Sequence, residues 1–168
     1  MICQSERLLL RRAQPQDAAF MLRLLNQPSW IRNIGDRNVR SLGDAERYID
    51  TRMLDPFRRL GFGMNVIVLK STGEPIGLCG LVKRDTLNEP DLGFALLDAY
   101  EGKGYALEAA TAVLAHARGV LKLRRILAIV TPANERSVKL LTKLGFTVER
   151  RARLSPAAEE LDIYVARS

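Results

Sequence analysis

The chain has 168 residues, of which 47% are hydrophobic and 27% charged, with a net charge of +7. That length and composition exclude a disordered chain and allow one domain with a sizeable core, expected over residues 1–168. No apolar run approaches the roughly 20 residues needed to span a bilayer, and Met1-Ile2-Cys3-Gln4-Ser5-Glu6-Arg7 lacks the basic-then-apolar order of a signal peptide, so a cytoplasmic protein is expected.

Glu6-Arg7-Leu8-Leu9-Leu10-Arg11-Arg12 reads as a first strand. Pro15 and Asp17 open a helix reaching about Asn26, with Ala18, Met21, Leu22 and Leu25 on one face, and Pro28 stops it. Trp30 to Arg40 reads as polar and irregular. Ser41 or Asp44 caps a second helix that ends before Pro56. Phe62 to Leu69 and Ile76 to Val82 are apolar strands joined by the turn Ser71-Thr72-Gly73-Glu74, so a hairpin is expected. Residues 91–97 form a third strand, then comes a helix over 104–118. Arg125 to Val130 is a buried strand. Asn134 is a good N-cap for a helix over 135–144, with Gly145 just past its end. Phe146 to Arg150 and Leu161 to Val165 read as the last strands. The order β-α-α-β-β-β-α-β-α-β-β predicts an α+β (mixed α/β) fold. It would have a single mixed sheet of six to seven strands and helices on both faces.

The stretch Asp91-Leu92-Gly93-Phe94-Ala95-Leu96, continuing through Glu101-Gly102-Lys103-Gly104-Tyr105-Ala106, reads as strand, glycine turn, helix. Leu92, Phe94 and Leu96 alternate as in a strand, and the period becomes helical after Tyr105. Gly-x-Gly before a helix is either a plain tight turn or a cradle for a phosphate-like anion. In the second case unpaired N–H groups and the positive end of the helix dipole meet at one spot. The P-loop pattern G-x-x-x-x-G-K-S/T is absent. The dinucleotide pattern G-x-G-x-x-G fails because position 107 is Leu.

The basic balance points to an anionic partner, nucleic acid or a phosphate-bearing ligand, or to a generic soluble surface. The basic residues are dispersed, and the aromatic residues, 6% of the chain, do not interleave with their short clusters. That argues against a stacking platform for single-stranded nucleic acid. Cys3 and Cys79 are expected to be free thiols. No residues have metal-ligand spacing.

The element order and two local patterns resemble the GNAT superfamily of N-acetyltransferases, in particular its ribosomal-protein-alanine-acetyltransferase branch. The superfamily's pyrophosphate pattern Gln/Arg-x-x-Gly-x-Gly/Ala falls on Glu101-Gly102-Lys103-Gly104-Tyr105-Ala106. The pattern N-x-x-S-x-x-L-x-x-x-G-F is met by Asn134, Ser137, Leu140 or Leu141, Gly145 and Phe146. Asp91-Leu92-Gly93-Phe94 resembles the branch's E-I-G-Y. The likeness covers essentially the whole chain. One departure is Glu101, a carboxylate where the family has a donor, which would repel a nearby phosphate.

The resemblance implies acetyl transfer from acetyl-CoA to a primary amine, either a protein N-terminus or a small-molecule amine, in a ternary complex and without a metal. Gly102, Lys103, Gly104, Tyr105 and Ala106 would hold the coenzyme pyrophosphate. Phe94, Ala95 and Leu96 would pair with the pantetheine arm as an added strand, which requires strands 91–97 and 125–130 to splay. Asn134 and Ser137 would also touch the coenzyme. An N–H near Leu96 would serve the thioester oxyanion. Ser137 is the implied acid for the leaving thiolate, with Tyr164 its rival. Asp91, Glu159, Glu160 and Asp162 are candidate bases. Each of these has a plainer reading: helix cap for Asn134, backbone bonding for Ser137, sheet packing for Tyr164, solvated charge for Glu159 and Glu160. The acceptor side would be built from Trp30 to Arg40, the helix near Tyr48 and the loop 151–160. Arg32, Arg37, Arg40, Arg151 and Arg153 there hint at an acceptor with acidic groups. A non-catalytic acyl-CoA-binding module of the same fold is the alternative, and an RNA-associated basic domain is a third reading. No membrane or nucleic-acid partner is expected, and the protein would act as a monomer or homodimer.

Overall fold

The computed structural model describes residues 1–167. Its strands are β1 (Cys3–Gln4), β2 (Leu8–Arg11), β3 (Met64–Leu69), β4 (Pro75–Val82), β5 (Asp91–Leu96), β6 (Arg125–Val130), β7 (Thr147–Ala152) and β8 (Leu161–Arg167). The helices are α1 (Ala18–Asn26), α2 (Pro28–Asn33), α3 (Leu42–Tyr48), α4 (Asp55–Leu60), α5 (Tyr105–Gly119) and α6 (Glu135–Lys143). The eight strands make one sheet in the order β1-β2-β3-β4-β5-β6-β8-β7. The mixed α+β class is as expected, but the strand count is one higher. The extra strand is β1, two residues pairing Cys3 with Leu10. A segment that short has no period to read.

One face of the sheet carries Leu8, Leu10, Ile67, Cys79, Leu92, Ala128 and Tyr164. Onto it pack Ala109, Ala110, Val113, Leu114 and Ala117 of α5 and Leu141 of α6. The small residues along α5 let the helix lie close to the sheet. On the other face Val66, Val68, Leu78 and Leu97 meet Met21, Leu24 and Leu25 of α1, Ala45 of α3, and Ile49 and Met53. Each fully buried Leu, Ile or Met contributes roughly 1.5–3 kcal/mol. A sheet covered on both sides explains why β3 and β4 read as continuous apolar runs.

Two proline expectations change. Pro28 does follow the end of α1, but it also opens α2, so Trp30 to Asn33 are helical rather than irregular. Proline at a first helical position loses no bond, because that N–H has no partner inside the helix. Pro56 does not end the second helix. Residues Ile49–Leu54 widen into a π-type turn, in which the Asp55 N–H reaches the Asp50 carbonyl, and Pro56 falls in the first turn of α4. The wider turn accommodates a residue with no N–H to offer. Gly61 then closes α4 at φ +80°.

The end of the chain is ordered differently from its sequence. β8 inserts between β6 and β7, antiparallel to both, with Tyr164 opposite Ala128 and Val148. β5 and β6, joined through α5, are parallel. Among the described residues no helix is long and apolar enough to cross a membrane.

Candidate active site

The site begins where the sheet comes apart. β5 pairs with β4 over its whole length, from Val82 opposite Asp91 to Gly77 opposite Leu96. β5 and β6 share a single pair, Asp91 with Leu127, reinforced by the Leu127 N–H donating to the Pro90 carbonyl at 2.9 Å. Past that point the strands part, and Gly93, Phe94 and Ala95 are half-exposed in the middle of the sheet. The Leu97 N–H donates to the Ile76 carbonyl at 2.8 Å, on the β4 side. Strand alternation therefore turns the backbone groups of Phe94 and Leu96 toward the gap.

The open end of β5 is held in place. The Gln27 side chain donates to the Leu96 carbonyl at 2.7 Å and accepts from the Asp98 N–H at 3.1 Å. Ser29 Oγ donates to Asp98 Oδ1 at 2.7 Å. A lone glutamine before a proline gives no spacing signal, so sequence reading missed Gln27.

The glycine turn follows directly. Gly102 and Gly104 take φ +75° and +82°, a region that side chains disfavour, and Gly104 is the N-cap of α5. Among the described residues, no acceptor takes the N–H groups of Gly102 through Leu107. Gly102, Lys103 and Gly104 are exposed. Lys103 Nζ lies 5.7 Å from the Tyr100 ring centre, which keeps its charge beside the turn. This donor set fits a diphosphate: aligned N–H groups, the positive end of a long helix, and a nearby cation.

Two arginines that sequence reading did not single out flank the turn. Arg7 Nη1 donates to the Lys103 carbonyl at 3.1 Å, and its guanidinium lies 4.4 Å from the Tyr105 ring centre. Its Nε pairs with Glu108 Oε2 at 2.7 Å. Glu108 Oε1 also accepts from Ser5 Oγ at 2.6 Å and the Arg7 N–H at 2.8 Å. These bonds tie the β1–β2 hairpin to the first turn of α5. On the other side, Arg136 of α6 pairs through Nη1 with Glu101 Oε2 at 2.6 Å. The carboxylate that departs from the family pattern is thus ion-paired.

Burial pushes the Glu108 carboxyl up, but the bonds from Ser5 and Arg7 outweigh this and hold it below its ordinary value of 4.5. A folded-state value below the unfolded one stabilises at neutral pH and is lost as pH falls through it. Glu108→Ala is expected to lower the melting temperature at pH 7 by about 2–6 °C, because Ser5 and the Arg7 N–H lose their acceptor. The deficit should shrink as pH falls below 4.5 and then through the lowered folded-state value, where the wild-type carboxyl also takes up a proton. Melts of both proteins from pH 7 to pH 3 check this; a deficit constant across the range would remove Glu108 ionisation as its cause.

At α6, Asn134 Oδ1 accepts the Ser137 N–H at 3.3 Å, so the asparagine is the helix cap. Ser137 is half-buried in the first turn of the same helix. Tyr164 is buried, on the face of the sheet that α5 and α6 cover. The structure groups Phe94, Ala95, Leu96 and the glycine turn at the open end of β5. It does not bring Asp91 there. Asp91 sits at the joined end, roughly 17 Å from Leu96 at about 3.3 Å per residue. It is 1% exposed, with Arg84 Nε on Oδ2 at 2.9 Å. Burial pushes its carboxyl up and Arg84 opposes that. Asp162 lies opposite Val130 near the open end and pairs with Arg151 at 2.8 Å, while Glu159 and Glu160 are exposed. Both cysteines are free; burial pushes the Cys3 thiol up to about 11 and raises the buried Cys79 further. Neither is a thiolate at neutral pH.

The family described as Acetyltransferase (GNAT) domain matches residues 7–147. The uncharacterized N-acetyltransferase p20 of Bacillus licheniformis is 31% identical over 148 residues, covering 86% of this chain and 82% of that protein. The [Ribosomal protein uS5]-alanine N-acetyltransferase of Escherichia coli (strain K12) is 35% identical over 72 residues, 43% of this chain and 37% of that one. Among solved structures, an acetyltransferase from Agrobacterium tumefaciens str. C58 superposes with a TM-score of 0.81 at 27% identity, covering 98% of this chain and 93% of that one.

Proposed function

Because this chain belongs to the GNAT acetyltransferase family, we propose that it moves an acetyl group from acetyl-CoA directly to a primary amine, in a ternary complex. The observation that carries the reading is the opening between β5 and β6, held by one pair of residues and running up to the glycine turn. The amides of 102–106 hold the diphosphate. The backbone of Phe94 and Leu96 pairs with the pantetheine arm as an added strand would. The arm thus runs from the turn past Leu96 to Phe94, so the thioester carbonyl lies toward the joined end of the gap rather than at Leu96, and the gap-facing Phe94 N–H stabilises the charge that develops on its oxygen.

The amine nitrogen attacks the thioester carbon, a C–N bond forms and the C–S bond breaks. The leaving sulfur takes a proton from the Ser137 hydroxyl, and the proton that leaves the nitrogen passes through water back to the Ser137 oxygen. Asp91 is buried with its Oδ2 held by Arg84, so water rather than Asp91 receives it. The alternative of a non-catalytic acyl-CoA module draws on Glu101 facing the phosphates and on the lack of a carboxylate in Leu154-Ser155-Pro156-Ala157-Ala158; Arg136 on the Glu101 carboxylate answers only the first.

The acceptor is an amine on a protein N-terminus or a small molecule. The basic character of its side is smaller than the sequence implies. Arg40 is paired with Asp36, Arg151 with Asp162, and Arg153 donates to the Ala158 carbonyl. Arg32 and Arg37 stay exposed beside α2 and favour an acceptor with a carboxylate near the amine. Thiol release from acetyl-CoA across a panel of amines tests this. The panel holds peptides with free N-termini, with and without acidic residues, and polyamines. Release above the amine-free rate is expected, highest with the acidic peptides. Coenzyme binding with no release from any amine would favour the non-catalytic module, and salt-sensitive RNA binding without coenzyme affinity would favour the basic domain.

A further inference from the structure

The family pattern places a glutamine or arginine at the first position of the glycine turn, and this chain places Glu101 there. The structure returns a guanidinium to the same place from another element. Arg136, in the first turn of α6, reaches across to Glu101. Its Nη2 lies 3.8 Å from where a Cβ on Gly102 would stand, so the guanidinium lies beside the turn's backbone. We propose that Arg136 is a coenzyme-binding residue, positioned by Glu101, that places its charge on the diphosphate. The inference rests on the reading of the glycine turn as the diphosphate cradle.

Three physical points support it. An exposed Arg–Glu pair contributes little stability, and the Arg136 side chain is 70% exposed, so fold stability does not account for the pair. A guanidinium carries several N–H donors in a rigid plane. Only Nη1 is taken by Glu101, and no acceptor among the described residues takes the others. A carboxylate on one edge also limits the rotamers of a long side chain, so less freedom is lost when the other edge meets a phosphate. Lys103, exposed on the turn itself, has no carboxylate partner among the described residues and faces the Tyr100 ring instead.

Removing Arg136 would have two consequences, a lost contact and a bared Glu101, and two variants separate them. Calorimetry with coenzyme A and with 3′-dephospho-coenzyme A is run on the wild type, Arg136→Ala, Arg136→Lys, and Arg136→Ala combined with Glu101→Gln. Arg136→Ala is expected to weaken both ligands about tenfold, the scale of one charged hydrogen bond at an exposed site. Arg136→Lys should fall between, keeping charge but losing the planar fork. The double variant should remain weaker than wild type. Recovery of full affinity in the double variant would mean that Arg136 merely neutralises Glu101. Unchanged affinity in Arg136→Ala would remove it from the site. A loss seen with coenzyme A but not with the dephospho form would assign the contact to the 3′-phosphate instead and overturn the diphosphate assignment. A wild type that binds neither ligand would overturn the underlying reading of the turn, and this inference with it.

Discussion

Gly104→Val is expected to abolish coenzyme A binding, with a loss beyond about 100-fold, because it removes the alignment of several N–H donors at once rather than one contact. Gly104 holds φ +82° as the N-cap of α5, and a Cβ there would stand 3.4 Å from Arg7 Nη2. A β-branched residue in that region carries about 1–3 kcal/mol of backbone strain. It can relieve the strain only by rotating the turn, which swings the amides of 104–106 off their common target. The branched side chain also occupies the approach that a phosphate would use. General destabilisation is the competing cause, and Gly61 controls for it. Gly61 has φ +80° with nothing within 4 Å of an added Cβ, and it closes α4 ahead of β3, at the opposite end of that strand from the β3–β4 turn. Gly61→Val should lose a similar margin of melting temperature and keep its coenzyme affinity. Calorimetry on both variants decides the matter. Full affinity in Gly104→Val would show that the diphosphate lies elsewhere.

Ser137→Ala is expected to lower turnover by about 100-fold while leaving coenzyme affinity nearly intact, the low end of what one positioned proton donor contributes. The backbone N–H of Ser137 is already taken by Asn134 Oδ1, so α6 keeps its cap when the hydroxyl is lost. The side chain is half-buried beside the sheet rather than out in solvent. Tyr164→Phe is the necessary partner experiment. Tyr164 is 6% exposed and lies opposite Ala128, about one residue step beyond the last joined pair of β5 and β6. A loss of turnover in Tyr164→Phe with none in Ser137→Ala would transfer the acid role from α6 to β8. Turnover should be measured with saturating acetyl-CoA and one fixed amine, so that changes in affinity do not mimic changes in chemistry.

Where sequence reading went wrong, a local rule met a tertiary correction. Pro56 is a helix breaker by its own chemistry, yet a π-type turn ahead of it lets the chain continue. For Asp91 the strand itself is read correctly, and parallel pairing with Leu127 adds what no strand alone shows, that it sits at the joined end under Arg84. The run of arginines on the acceptor side looked like a basic patch. Ion pairs with Asp36 and Asp162 absorb part of it.

The sequence alone determined the features that depend on neighbours along the chain. These are the alternation of β5, the left-handed glycines before α5, the Asn134 cap of α6 and the apolar faces of the helices. Each follows from backbone geometry over a single turn or pleat, so a few adjacent residues carry the whole signal. Only the tertiary structure decided which strands separate, and which charges meet at the glycine turn. Arg7 reaches Glu108 across 101 positions of sequence, Arg136 reaches Glu101 across 35 and Gln27 reaches Leu96 across 69. No spacing rule connects residues so far apart. Their meeting depends on strand order, on β8 inserting beside β6, and on where each helix comes to rest on the sheet.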